Sequence, residues 1–70
     1  MARVRLTLGG AAGAATVRMY SPEMSEADAN NEKREFVETV SDFGCAWFHD
    51  HNGKIHDVFN SEVREVRVVK

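Results

Sequence analysis

Residues 26–34 offer only Ala27 and Ala29 to a hydrophobic core, and they sit in the middle of a chain of 70 residues. A domain of this size buries only about 60 % of the surface that its unfolded chain exposes. A polar stretch of that length is therefore a serious loss, and the core is expected to come from the segments on either side. The single cysteine rules out an intrachain disulfide and a four-thiolate metal site. Without such staples, a small domain depends on a well-closed sheet, a partner, or both.

The flanking segments alternate as strands do. In residues 3–8, Val4, Leu6 and Leu8 fall on one side and Arg3, Arg5 and Thr7 on the other. Glycines and alanines fill residues 9–15 and predict a turn, because glycine accepts positive φ. In residues 16–20, Val17 and Met19 face one way and Thr16, Arg18 and Tyr20 the other, which completes a hairpin. Pro22 has no N–H for a ladder, so the strand ends there or lies at an edge. Ser25 followed by Asp28 resembles a capping box. Residues 21–35 are expected to form an exposed polar link with room for one or two helical turns. Residues 35–43 fit two patterns. Val37, Thr39 and Val40 favour a strand running into a turn at 42–44. The spacing of Phe36, Val40 and Phe43 instead fits a helix across 26–41.

The apolar residues 45–48 and 55–59 flank Asp50-His51-Asn52-Gly53-Lys54. Asp50 suits the first position of a type I turn and Gly53 the left-handed position of a G1 bulge, which sets Asp50 opposite Lys54. A tighter turn at Asn52-Gly53 would set His49 opposite His56 instead. A short 3₁₀ turn at Glu62-Val63 then leads into a last strand over 64–69, with Val66 and Val68 inward and Arg67 and Val69 outward. Five antiparallel strands left open would expose pairing edges, and curling into a barrel removes them. The expectation is a mainly β chain in one domain, a small five-stranded SH3-like barrel with the polar link 21–35 inserted between strands.

Two stretches resemble a known family. Val4-Arg5-Leu6-Thr7-Leu8-Gly9-Gly10 followed by Ala15-Thr16-Val17 is similar to the opening hairpin of the small bacterial YodC-like proteins. Cys45-Ala46-Trp47-Phe48-His49, Gly53-Lys54, Phe59, Glu62 and Val63 resemble their second half. The first turn here lacks the family's proline and has extra alanines, His49 stands where aspartate is common, and the 21–35 link is longer. The resemblance implies an SH3-like barrel and carries over no catalytic residue.

Charge is segregated along the chain. Residues 1–20 hold Arg3, Arg5 and Arg18 without an acid, 21–60 are strongly acidic, and 61–70 are mildly basic, within a net charge of −2. That balance disfavours strong nonspecific nucleic-acid binding, which needs many phosphate contacts. No run approaches a membrane span, residues 1–15 do not read as an export segment, and a lone thiol suits a reducing compartment. A cytoplasmic location is expected, with no membrane partner, cofactor or small-molecule substrate.

His49, His51 and His56 are weak metal candidates, because strand alternation separates them in all but the tight-turn register. Cys45 is expected to be a buried core thiol rather than a nucleophile, and no carboxylate spacing marks a general acid. An enzyme is not expected. Adjacent Trp47 and Phe48 must face opposite ways, one into the core and one toward a barrel end or the surface. Binding is expected from Tyr20, Trp47 or Phe48, from Arg18, Arg64 and Arg67, and from Glu26 and Asp28 on the link. An aromatic beside those arginines could anchor a protein contact or stack a base. The leading expectation is a protein-binding or regulatory module, engaging a partner or its own copies. Weak nucleic-acid binding through an arginine patch is one alternative. A small mobile-element inhibitor acting by steric block is another.

Overall fold

A computed structural model describes residues 1–9 and 16–70. The expected glycine–alanine turn lies outside the described residues. Strands β1 (Arg3–Gly9) and β2 (Thr16–Tyr20) pair antiparallel, as the alternation predicts, with Leu6 opposite Met19. Beyond β2 the chain stays alongside β1. Ser21 N–H donates to Val4 C=O, Val4 N–H donates to Ser21 Oγ, and Ala2 and Met24 exchange both backbone hydrogen bonds. Pro22 sits at the one-residue irregularity between these contacts, where no ladder donor is required.

The link is not mainly loop, and residues 35–43 are not a strand. Helix α1 spans Glu26–Phe43. Ser25 Oγ accepts from Asp28 N–H at 3.1 Å to cap its start. Gly44 closes it in the left-handed conformation (φ 80°), its N–H donating to Val40 C=O. The helical spacing of Phe36 and Val40 prevails over the β preference of Val37, Thr39 and Val40, because it carries both residues into the core. The polar stretch also contributes more than its composition suggests: Ala29 is fully buried.

After Gly44 come β3 (Cys45–His49), β4 (Ile55–Phe59), the 3₁₀ turn η1 (Asn60–Glu62) and β5 (Val63–Val69). The five strands form two antiparallel sheets, β2-β1-β5 and β3-β4, rather than one closed barrel. The reason is α1, roughly 27 Å of helix, whose Ala29, Phe36 and Val40 fill the core shared by the two sheets, a space that in a closed barrel only strand side chains occupy. His51 N–H, at the tip of the second hairpin, donates to Tyr20 C=O at 2.8 Å and ties it to the end of β2. Among the described residues no helix is long and apolar enough to cross a membrane.

The core lies where both sheets meet the helix. Ala2, Val4 and Leu6 meet Ala29, Phe36 and Val40 of α1, and Ala46, Phe48 and Val58 of the second sheet. Phe36 and Phe48 pack edge to face, with ring centroids 5.8 Å apart. The Phe36→Ala variant is expected to lose about 3–5 kcal/mol in urea unfolding, and the capping variant Ser25→Ala about 1 kcal/mol. If Phe36→Ala unfolds at the wild-type urea concentration, α1 is not seated on β3 as described.

Candidate functional site

Strand parity decides the Trp47–Phe48 question. Ala46 and Phe48 face the core, Phe48 with only 5 % of its surface exposed, so Cys45, Trp47 and His49 face out. Phe48 therefore leaves the set of binding candidates. The same parity corrects Cys45, which is exposed rather than a core thiol. Pairing then sets Phe59 beside Cys45, Asp57 beside Trp47 and Ile55 beside His49 on that outer face.

The result is an apolar face that no element among the described residues covers. Trp47 is 71 % exposed and Phe59 55 %, and Phe43, on the last turn of α1, is 78 % exposed. Trp47 stands between two clefts. One, of about 390 Å³, is lined by Thr39, Phe43, Cys45, Trp47, Asp57 and Phe59. The other, of about 470 Å³, lies between α1, β3 and the residues after β2, with Glu32, Glu35, Thr39, Trp47 and His49 in its walls. Three rings exposed to this degree present on the order of 400 Å² of aromatic surface, as much as the largest patch of a typical monomer. Sequence reasoning named Trp47 but not Phe43, Phe59, Glu32 or Glu35 as site residues. The available signal was that Cys45-x-Trp47 shares its parity with Phe59 once Asp50 is set opposite Lys54.

That register is the one the turn chemistry predicts. Asp50 N–H donates to Lys54 C=O, Gly53 N–H donates to Asp50 C=O, and Gly53 has φ 80°. Asp50 Oδ1 accepts from the N–H groups of Asn52 and Lys54, and Oδ2 lies 2.7 Å from His56 Nε2. The contact with His56 and these two N–H groups hold the Asp50 carboxyl down at about 2. The three histidines do not converge: His49 faces out, His56 turns to Asp50, and His51 belongs to the turn.

The arginine candidates gather elsewhere. The outer face of β2-β1-β5 carries Arg3, Arg5, Arg18 and Arg67, with Tyr20 and Arg67 each opposite Arg5. Arg64, at the irregularity between Thr7 and Leu8, lies over Gly9, where a Cβ would run into its side chain. Arg5 pairs with Glu65 at 2.7 Å and Arg3 with Glu23 at 2.8 Å. The Arg5 hydrogen bond, and then Arg67 and Arg18 nearby, hold the Glu65 carboxyl below its ordinary value. The aromatic among these arginines is Tyr20, half-buried, while Trp47 belongs to the other sheet. Glu26 pairs with Lys70 at 3.0 Å, and Asp28 lies exposed in the first turn of α1.

Depressed carboxyl values in the folded chain mean that the unfolded chain binds protons more readily in acid. The stability contributed by Asp50 is thus fully present above about pH 4 and is lost as pH falls toward 2. In thermal unfolding from pH 5 to pH 2, Asp50→Asn should fall less steeply than wild type, starting from a lower melting temperature at pH 5. Parallel curves would show that the Asp50 contacts do not form in solution.

Comparison of the chain with family models, curated proteins and solved structures gives no match, so the geometry alone carries the functional reading.

Proposed function

We propose that the chain is a small non-enzymatic cytoplasmic module that binds a protein partner through the outer face of β3–β4 and the end of α1. The observation that carries this reading is the uncovered cluster of Trp47, Phe43 and Phe59. Burying such rings is what a partner gains, and tryptophan in particular is enriched among residues that dominate binding energy. Phe36, Phe48 and Val40 lie beneath the face and belong to the core, so the rings are held on packed elements rather than on a loop.

The short turn η1 directly precedes the last strand, next to the turn expected at Glu62-Val63. It supports reading the two sheets as halves of an opened SH3-like barrel, with α1 accommodated in the long link. In that reading the helix converts the link from a spacer into one wall of the binding face.

A second reading, weak nucleic-acid binding, is favoured by the four arginines on the outer face of β2-β1-β5. Two of them are already ion-paired with carboxylates, which leaves few charges for phosphate and makes this the lesser reading. A mobility shift with single-stranded DNA at low salt tests it, and the absence of a shift ends it.

The leading reading is tested by affinity capture with wild-type chain and with Trp47→Ala and Phe59→Ser, each checked for unchanged circular dichroism. A partner retained by wild type should be lost from both variants, a drop of at least about tenfold in affinity for a buried aromatic anchor. Equal retention by all three would remove this face as the contact surface. Deleting residues 27–34 is not an equivalent test, because it takes Ala29 out of the core.

A further inference from the structure

We infer that the partner of this face is a basic protein segment, in which lysine or arginine and apolar side chains stand two residues apart, so that an extended chain presents both to one face. The inference rests on the protein-binding reading above and adds the chemistry of the occupant. It starts from the apolar sheet face, and charge complementarity selects what covers it. The charged residues lining the two clefts beside Trp47 are Glu32, Glu35 and Asp57, and among the described residues no Lys or Arg lines either cleft. His49 is the imidazole at the rim, exposed on β3.

Helix geometry explains the sign. At about 100° per residue, Asp28, Glu32, Glu35, Thr39, Asp42 and Phe43 fall on one flank of α1, within about 100° of arc. Lys33 and Arg34 fall on the other flank. Glu32, Glu35, Thr39 and Phe43 line the clefts, so this anionic flank is the one turned toward Trp47. Across the β3–β4 pair, Asp57 stands directly opposite Trp47. The indole thus has carboxylates on both sides.

That arrangement suits a cation better than an anion or a purely apolar ligand. A guanidinium or ammonium over the face of an indole gains from the ring quadrupole. Carboxylates within reach add charge-assisted hydrogen bonds. The neighbouring cleft of Phe43, Cys45 and Phe59 takes the apolar side chain two residues along, which an extended segment presents to the same face. Polyanions are repelled by the same flank, so nucleic acid does not fit here.

The test uses the full chain and three fluorescein-labelled peptides of equal length with serine at every second position; the positions between hold lysine and leucine in turn (lysine–leucine), glutamate and leucine in turn (glutamate–leucine), or lysine throughout (lysine–serine). Anisotropy should show the lysine–leucine peptide binding at least about tenfold more tightly than the other two, with affinity falling as salt rises. Trp47→Ala should abolish that preference. The double variant Glu32→Lys/Glu35→Lys should weaken lysine–leucine binding by at least about tenfold while leaving the circular dichroism unchanged. Equal binding of the glutamate–leucine peptide, lost in Trp47→Ala, would overturn the basic partner and leave the docking face standing. Binding of no peptide by wild type, with Trp47-dependent self-association in sedimentation at low salt, would overturn the inference and assign the face to a second copy. Lysine–leucine binding that Trp47→Ala does not change would overturn both the inference and the reading it rests on.

Discussion

The contact of Phe36 with Phe48 is the interaction on which the rest of the molecule depends. It seats α1 on β3, and by burying Phe48 it fixes the parity of the whole strand. Once Phe48 is in, Trp47 is out, because neighbours on a strand take opposite faces. Gly44 makes this possible by turning the chain sharply from helix into strand in a left-handed conformation that other residues adopt only at a cost. Core and exposed aromatic face are therefore two sides of one short segment.

The small size of the chain is managed by sharing. Among the described residues, nine buried apolar ones from β1, α1, β3, β4 and the N-terminal Ala2 form one cluster, with partly buried Met19, Met24, Val66 and Val68 around it. The helix and each of the five strands give one face to this cluster, and among the described residues none covers the outer side of β3–β4. Two polar groups reinforce the edges. Ser21 Oγ satisfies the N–H of Val4 where Pro22 interrupts the ladder, and Asp50 satisfies two turn N–H groups while holding His56. Charge is divided between faces as well. Arginines crowd the outer side of β2-β1-β5, and carboxylates line the flank of α1 beside Trp47.

Much of this was legible in the residues. Alternation located the β1–β2 hairpin, turn chemistry at Asp50 and Gly53 offered the observed register of the second as one of two, and a 3₁₀ turn was expected at Glu62-Val63, next to the one found at Asn60–Glu62. The helix was harder, because β-branched Val37, Thr39 and Val40 pull toward a strand. What decides against that preference is a tertiary fact, the burial of Phe36 and Val40 against β1 and β3. The closed barrel failed for the same reason, since Phe36 and Val40 of α1 occupy the core that the two sheets share. The site was half legible. Trp47 stood out, but which of Trp47 and Phe48 faces outward depends on which the helix covers. Cys45 was misplaced with it. The acidic flank escaped notice because Glu32 and Glu35 looked like part of a solvated link until the helix gave that link a direction.

The central claim is that Trp47 is a solvent-facing anchor on a folded scaffold, and its fluorescence tests this directly, since it is the only tryptophan in the chain. In the native protein at low concentration, emission and acrylamide quenching should lie close to those of the urea-unfolded chain. A cooperative unfolding transition followed by circular dichroism confirms the fold in the same samples. Blue-shifted, quench-resistant emission from a native monomer would place Trp47 in the core and contradict the account.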